Sequence, residues 1–390
     1  MSPSPVDLLR LCTFDPRRGA TPSPSVVHLL PALGWGGAER LACTLHRLAL
    51  ADGWTSRIDA PSMPAIDDGL AIETGTPSPS RASENTLRAW ALAARERIRR
   101  DRPDVVHVHL PYPDRFAVGL TAARGRPIVA TFHLLPERGR NWSPDELLQQ
   151  RSDRIVAILA RVPLRARYVA VSRTDRDVLA TWLPRRRLVE IRNAPPLPRE
   201  RTEAAPMLEW PAGSTRVLVV GRLVRQKGYD RLLEALAHPT LRALPWTCTI
   251  VGSGPEREAL GAQVQSLGLD TKIRFAAEQP ATGLYPQSDL VISSSRWEGM
   301  PLVPMEAVEA GVPVIVSDIG PHREIFEGVR ESMLPSDETA WPQHLASYLG
   351  EASARTALAT HQRAALPADA RRDMWNAYRA LYRAVAPHRA

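Results

Sequence analysis

The chain has 390 residues, 44% of them hydrophobic, and a formal net charge of +8, a composition typical of a globular protein long enough for two domains. No apolar run approaches the roughly 18 residues needed to span a bilayer, and the N-terminus lacks the long apolar stretch of a signal peptide, so we expect a cytoplasmic protein. The three cysteines lie far apart without CxxC spacing, which disfavours both a disulfide framework and a zinc site.

The first half of the chain alternates predicted strands and helices. Residues 1–25 are rich in Ser, Pro and Arg and predict a disordered tail. Because strands and helices alternate after it, residues 26–198 are predicted to form a domain with a parallel sheet covered on both faces. The predicted strands cover 26–30, 104–109, 128–133 and 168–172, and the predicted helices cover 38–51 and 84–100.

The second half repeats this plan after a proline-rich linker over 199–212. Residues 213–366 are predicted to form a second α/β domain, and 367–390 a C-terminal helix. The pattern predicts strands over 217–220, 248–251 and 273–275, a glycine loop over 221–228, a helix over 229–237, and helices from about 338 to the end.

The segment 291–320 predicts a strand, a loop and a helix that begins within 300–304. Gly311 suits the left-handed residue after that helix, and a further strand follows over 314–316. The first amides of a helix have no intrahelical acceptor and lie at the positive end of its dipole. We therefore expect the amides of Leu302, Val303 and Met305 to donate to an anion beyond the carboxyl end of the strand.

Two carboxylates, Glu298 and Glu306, bracket this predicted anion site. Carboxylates would repel a phosphate, so they should contact another part of the same ligand, for which sugar hydroxyls are the natural partners. This interpretation implies a sugar nucleotide. The alternative is a helix with two surface glutamates in an ordinary α/β domain.

Lysine is rare in this chain. Only Lys227 and Lys272 are lysine among the 50 basic residues. Where arginine is used almost everywhere else, a lysine indicates a site that needs a compact ammonium group, and Lys227 lies in the glycine-flanked segment GRLVRQKG.

The positive charge is concentrated in the first half: residues 1–205 contain 31 Lys and Arg against 22 Asp and Glu. Such a half could contact nucleic acid, an anionic membrane surface or an acidic acceptor, and the alternative is a solvated, arginine-rich surface. The arginine clusters have little aromatic interleaving, which disfavours single-stranded nucleic acid. We expect no nucleic-acid partner.

Six segments in a fixed order resemble family 4 glycosyltransferases, and the resemblance covers about residues 26–385. They are GWGGAER at 34–40, HVHLP at 107–111, VATFH at 129–133, GRLVRQKG at 221–228, VGSGPE at 251–256 and EGMPLVPME at 298–306. The resemblance implies the GT-B fold, an α/β architecture in which two doubly wound Rossmann-like domains face a central cleft. It also implies that helix 367–390 packs back toward the first domain.

The resemblance assigns roles to residues of the second domain. Arg222 and Lys227 match the family's diphosphate-binding pair, and Glu298 matches the carboxylate that lies against the donor sugar and is a candidate catalytic residue. Glu306 matches the carboxylate that binds the ribose hydroxyls. The amides of Leu302 and Val303 match donors to the distal phosphate.

In the first domain, the resemblance makes Gly36 and Gly37 a loop that approaches the donor phosphate and sugar. It makes His133 a candidate catalytic residue that faces the sugar near the anomeric carbon, whereas a histidine at a strand end is otherwise more often structural. His107 and His109 fall on one strand face because they are two residues apart, and His109 is a weaker candidate near the acceptor.

The function implied is a retaining, metal-independent glycosyltransferase that moves a hexosyl unit from a UDP- or GDP-sugar to a hydroxyl of a glycan or lipid-linked acceptor. It needs no cofactor, since the nucleotide sugar is a co-substrate. Two alternatives stay open: a sugar-nucleotide epimerase or hydrolase on the same fold, and a non-catalytic protein that binds anionic surfaces. The basic first half also predicts peripheral contact with the inner face of an anionic membrane.

Overall fold

The structure is a computed structural model that describes residues 24–30, 36–60, 72–74, 84–110, 122–123, 125–135, 166–181, 183–197 and 208–387. Residues 1–23 of the predicted tail and most of the predicted linker lie outside the described residues. Numbered in chain order, the strands are β1 Val26–Leu29, β2 Ser56–Ala60, β3 Ile72–Thr74, β4 Val105–Leu110, β5 Ile128–Phe132, β6 Ala166–Ala170, β7 Leu188–Glu190, β8 Thr215–Val220, β9 Trp246–Val251, β10 Ile273–Ala276, β11 Leu290–Ser293 and β12 Val314–Val316.

The described α-helices are α1 Gly37–Ala51, α2 Glu84–Asp101, α3 Arg173–Leu179, α4 Tyr229–Leu236, α5 Pro239–Arg242, α6 Arg257–Ser266, α7 Leu302–Glu309, α8 Gly320–Ile325, α9 Trp341–Gly350, α10 Ala352–Ala365 and α11 Ala370–Val385. The chain divides into two compact units. The first comprises Met1–Pro196 with Asp369–Ala390, and the second comprises Leu197–Ala368. The last helix, α11, thus belongs to the first unit.

A seven-stranded sheet forms the centre of the first unit, in the order β3-β2-β1-β4-β5-β6-β7. All its neighbouring strands are parallel. Helices cover both faces: α1 and α11 enclose one apolar cluster with the sheet, and α2 encloses another. The aromatic stripe of α11, formed by Trp375, Tyr378 and Tyr382, is buried in the first of these clusters.

The second unit contains a five-stranded parallel sheet in the order β10-β9-β8-β11-β12. This order repeats that of β3-β2-β1-β4-β5, so the two halves share one doubly wound plan, as predicted. The chain leaves β8 through α4 toward β9, but leaves β11 through α7 toward β12 on the other side. The loops after β8 and β11 therefore meet at a topological switch point, where open α/β sheets bind ligands.

Several predicted boundaries need correction. Strand β6 begins and ends two residues earlier than predicted, because the hydroxyl of Ser172 accepts from the Asp175 amide at 3.0 Å and starts helix α3. Strand β5 ends at Phe132, so His133 follows the strand instead of closing it. The helical region after residue 338 divides into α9, α10 and α11. Gly311 has φ of +79° after α7, as predicted.

The part of the chain that the structure describes contains no helix long and apolar enough to cross a membrane.

Candidate functional site

At the switch point of the second unit, two loops interlock. The first follows β8 and ends in the 3₁₀ turn Arg225–Lys227, and the second follows β11. Gly228 has φ of +63°, and a Cβ there would lie 2.4 Å from the backbone oxygen of Ser294. Only glycine allows both this conformation and this approach. The Ser294 hydroxyl in turn donates to the backbone oxygen of Lys227 at 2.9 Å, which fixes the two loops side by side.

This approach brings Lys227 and Glu298 into contact, with 2.6 Å between Nζ and Oε1. The two side chains are 18% and 7% exposed. Two further groups donate to the carboxylate: the Ser295 hydroxyl at 2.6 Å to Oε1 and the Gln226 amide at 3.0 Å to Oε2. Glu298 is therefore a buried carboxylate with three donors.

The electrostatics of Glu298 follow from these contacts. Burial raises the pKa of its carboxyl, but the charge of Lys227 and hydrogen bonds from Lys227 and Ser295 outweigh that effect, so the pKa lies below its ordinary value. Glu298 is ionised at neutral pH. It can accept hydrogen bonds but cannot donate a proton.

Arg222 lies in the same loop and is exposed, with Nη2 3.4 Å from Oε1 of Gln226. Gln226 thus contacts both Arg222 and Glu298, and it also donates to the backbone oxygen of Trp297 at 2.9 Å. Gln226 and Ser295 were not among the site residues predicted from the sequence. The signal for Gln226 was its position between the arginine and the lysine of GRLVRQKG.

Arg231 of α4 is a third residue that was not predicted from the sequence. Its guanidinium donates to the backbone oxygen of Ser294 at 2.6 and 3.1 Å and to that of Ser295 at 2.9 Å. Because these oxygens belong to the loop that carries Glu298, Arg231 holds that loop in place.

Helix α7 begins at Leu302, directly after the loop of Glu298, and its N-cap residue is Pro301, which has no polar side chain to cap it. Leu302 and Val303 are the first two helical residues, so their amides have no intrahelical acceptor. Glu306 lies one turn further on, buried, and accepts from the Tyr285 hydroxyl at 2.8 Å. The helix start therefore offers amide donors between Glu298 and Glu306.

In the first unit, Gly36 is the N-cap residue of α1 and Gly37 the first helical residue. The Gly36 amide donates to Oε2 of Glu39 at 2.9 Å. Because glycine has no side chain, only the Glu39 half of a capping box is present. An anion that bound this amide would have to displace the Glu39 carboxylate.

His133 follows β5 and is partly exposed, with its Nε2 3.1 Å from Nδ1 of buried His109. The two rings stack with centroids 5.3 Å apart and 13° between their planes. Burial lowers the pKa of His133 to about 3, so its ring is neutral at physiological pH. His107 and His109 do share a strand face, as predicted.

His28, His107 and His109 form a cluster whose ligand atoms lie within 4.8 Å of one another. The sequence analysis found no such cluster, because β1 and β4 are distant in the chain and adjacent in the sheet. His107 uses both ring nitrogens in hydrogen bonds, to Tyr382 at 2.6 Å and to Thr131 at 2.8 Å. The metal independence expected from the sequence stays a prediction.

Two family models match successive parts of the chain. The model described as Glycosyltransferase Family 4 matches residues 35–195, and the one described as Glycosyl transferases group 1 matches residues 200–341. Together they cover most of the sequence. The chain belongs to glycosyltransferase family 4.

Two relatives of this family 4 glycosyltransferase match it over different shares of their own length. The lipopolysaccharide core biosynthesis mannosyltransferase LpsB of Rhizobium meliloti is 29% identical over 50% of this chain and 53% of that protein. The 2-deoxystreptamine N-acetyl-D-glucosaminyltransferase of Streptomyces fradiae is 29% identical over 79% of this chain and 77% of that protein. The chain thus spans about half of the first relative and most of the second.

Solved structures confirm the GT-B fold of this family 4 glycosyltransferase. Sucrose-phosphate synthase from Thermosynechococcus elongatus has a TM-score of 0.71 at 18% identity and covers 92% of this chain and 100% of that one. HepE of Anabaena, in complex with UDP and glucose, has a TM-score of 0.67 at 19% identity and covers 87% of this chain and 94% of that one.

The predicted site residues of this family 4 glycosyltransferase fall into two sets. One set lies in the second unit, where Lys227 and Glu298 are in contact, Arg222 shares their loop, and Glu306 lies on the helix that Leu302 and Val303 begin. The other set lies in the first unit. It comprises Gly36, Gly37 and His133.

Proposed function

We propose that this protein transfers a hexosyl unit from a UDP- or GDP-sugar to a hydroxyl group of a glycan or lipid-linked acceptor. The observation that carries the proposal is the Lys227–Glu298 pair at 2.6 Å, next to the uncapped start of α7. A cation, open helix amides and an ionised carboxylate are the groups that a diphosphate bound to a sugar needs.

Lys227 has three ammonium protons, so it can keep Glu298 as one acceptor and still donate to a phosphate oxygen. Arg222 is exposed on the same loop and adds a second cation. The leaving nucleoside diphosphate gains negative charge as the glycosidic bond breaks, and these fixed cations stabilise that change. This is the role that a divalent metal has in other enzymes, so the proposed reaction needs no metal or cofactor.

The two carboxylates take the polar ends of the donor. Glu298 is held by three donors and accepts from hydroxyls of the transferred sugar, while Glu306, fixed by Tyr285, accepts from the ribose. The amides of Leu302 and Val303 bind the distal phosphate between them. The family resemblance assigns His133 of the first unit to the sugar near the anomeric carbon.

Transfer proceeds with retention of anomeric configuration. The acceptor oxygen attacks the anomeric carbon on the face from which the diphosphate departs, and the bond from that carbon to the phosphate oxygen breaks. The departing phosphate keeps the electron pair of that bond and takes the acceptor proton. Because Glu298 is ionised and held by three donors, it stabilises developing positive charge on the sugar ring.

We also propose that the enzyme contacts the inner face of an anionic membrane. The excess of basic residues in the first half supports this placement, as does the similarity to a lipopolysaccharide core mannosyltransferase. A lipid-linked acceptor of the hexosyl unit would lie at that membrane surface.

The test is turnover of a panel of UDP- and GDP-sugars with glycan and lipid-linked acceptors, with products identified by mass spectrometry and anomeric configuration by NMR. We expect one donor to give a retained glycoside.

Lys227→Ala should lower kcat/KM by about 10²-fold or more, on the scale of one lost transition-state donor. Lys272→Ala, the matched control, removes a lysine that donates to the Leu244 backbone and packs on Trp246, and it should leave turnover unchanged. Equal rates for both variants would contradict the site, and an epimerised or hydrolysed donor without acceptor would contradict the reaction.

A further inference from the structure

Three imidazoles form a hydrogen-bonded chain inside the first unit. Nδ1 of His28 lies 3.0 Å from Nε2 of His109, and Nδ1 of His109 lies 3.1 Å from Nε2 of His133. His28 and His109 are fully buried, whereas His133 is partly exposed at the carboxyl end of β5. The chain therefore runs from the core to the edge of the sheet.

All three rings are neutral at physiological pH. Burial lowers the pKa of His28 and of His133 to about 3, and it lowers that of His109 well below its ordinary value. A neutral imidazole has one N–H donor and one bare acceptor nitrogen. Each ring in the chain thus carries a single proton, on either Nδ1 or Nε2.

The two hydrogen bonds make these choices interdependent. If His28 donates from Nδ1, His109 must accept at Nε2 and carry its own proton on Nδ1, which it then donates to Nε2 of His133. If His133 donates from Nε2 instead, the direction of both bonds reverses. Any other arrangement places two protons, or two lone pairs, against each other at about 3 Å. Only the arrangements with all three protons on Nδ1 or all three on Nε2 satisfy both bonds.

The buried end of the chain lies at Nε2 of His28, which has no hydrogen-bond partner in the described structure. One arrangement leaves a buried N–H there and the other a buried lone pair. These two states differ in free energy because an unpaired donor and an unpaired acceptor have different costs. The environment of His28 thus biases which nitrogen of His133 carries a proton, two hydrogen bonds away.

His107 lies beside this chain without belonging to it. Its ring is 3.9 Å from that of His109 between centroids, but its hydrogen bonds go to Thr131 and Tyr382. It is equally buried and occupies the same strand as His109. His107 therefore supplies a matched control for any effect of removing a buried histidine here.

We propose that His28 and His109 are positioning residues that fix the tautomer of His133. The remaining nitrogen, Nδ1 of His133, then presents a defined donor or a defined acceptor at the end of β5. That this atom meets a sugar hydroxyl rests on the proposed function; the coupling of the three rings does not.

The test is NMR of the full chain labelled with ¹⁵N-histidine, because imidazole nitrogen shifts separate bare from protonated nitrogens. In the wild type, His28, His109 and His133 should share one tautomer. His28→Leu should change the tautomer population of His133, whereas His107→Leu should leave it as in the wild type. If His28→Leu does not fold, His28→Asn keeps a rotatable amide near the position of Nδ1 and should also release the bias.

Different tautomers in the three wild-type rings would overturn the proposal. So would a His133 unaffected by either His28 variant, or one that responds equally to His107→Leu. Stoichiometric zinc in the purified protein, released by a chelator with changes at His28 and His109, would overturn it as well, since a metal would replace the N–H between these rings.

Turnover supplies the second readout. With the best donor, His28→Leu should lower kcat roughly tenfold and leave KM for the donor within about twofold, as expected when a group is misoriented without loss of binding. An unchanged kcat would overturn the positioning role. If the wild type turns over a donor but its three histidines do not share one tautomer, only this inference is overturned. If the three histidines share one tautomer but no donor is turned over, only the proposed function is contradicted.

Discussion

Replacing Lys227 by methionine tests how the Lys227–Glu298 pair contributes to stability. The Glu298 side chain is 7% exposed, so without its cation it would be either an uncompensated buried charge or a protonated acid whose pKa burial has raised. Removing one partner of a buried ion pair typically costs about 3–5 kcal/mol. Because Ser295 and Gln226 still donate to the carboxylate, we expect the lower end, about 3 kcal/mol.

The double variant Lys227→Met, Glu298→Gln separates the cost of the uncompensated charge from the loss of packing. A neutral amide at position 298 can still bond Ser295, so the double variant should recover at least half of the stability lost in Lys227→Met. It should not recover turnover, because both the cation and the carboxylate are absent.

The measurement is urea unfolding followed by hydrogen exchange of peptides from β8 and β11, so that the second unit is observed separately from the first. Lys272→Met is the control for loss of a lysine and should change the stability of the second unit by less than Lys227→Met. The reasoning is refuted if Lys227→Met costs less than about 1 kcal/mol, or if the double variant is no more stable than the single one.

Three further predictions concern other parts of the molecule. The buried imidazoles, such as His28 with a pKa of about 3, stay neutral in the folded state, whereas the histidines of the unfolded chain become protonated below about pH 6.5. The free energy of unfolding should therefore fall as the pH falls below about 6.5, by about 1.4 kcal/mol per pH unit for each such histidine. Acid titration of first-unit unfolding measures this slope, and a flat profile between pH 6.5 and 4.5 would refute the prediction. Gly228→Ala should abolish turnover and should destabilise the protein more than Gly311→Ala does. Both positions have positive φ, but of the two only Gly228 has a backbone atom within 4 Å of an added Cβ, so only its alanine would clash. Calorimetry that shows equal losses of stability would count against this clash. Tyr285→Phe removes a donor to buried Glu306 and should lower the free energy of unfolding by about 1–2 kcal/mol. It should also weaken nucleotide binding, and a titration that shows wild-type affinity would argue against the role of Glu306 in binding the ribose.

Local signals were enough to predict much of the second unit. The repeated strand, glycine loop and helix predicted two halves built on one parallel α/β plan, and the family resemblance implied the doubly wound order that both sheets have. Gly311, which has a positive φ, predicted the end of α7 from backbone geometry alone. The motifs also singled out Lys227 and Glu298, which the structure brings into contact.

Contacts between distant segments could not be predicted in the same way. Gln226 reaches Glu298 only because Gly228 lets one loop approach another far along the chain. The link between His28 and His109 depends on β1 and β4 being neighbours, which the order of strands in the sequence does not specify.

The sequence also did not predict that a side chain occupies the N-terminus of α1. The glycines at positions 36 and 37 predicted an open backbone, but Glu39 folds back onto the Gly36 amide. A capping glutamate and a ligand-binding glycine loop share the same sequence signature, and only the side-chain conformation separates them.

The most direct test of the central claim, that Lys227 and its neighbours bind a nucleoside diphosphate, is isothermal titration of UDP and of GDP into the wild type, Lys227→Ala and Lys272→Ala. We expect the wild type to bind one of the two nucleotides. Lys227→Ala should weaken that binding at least tenfold, which corresponds to the loss of about one charge-assisted hydrogen bond. Lys272→Ala should bind as the wild type does. Equal affinity of the two variants, or a wild type that binds neither nucleotide, would contradict this claim.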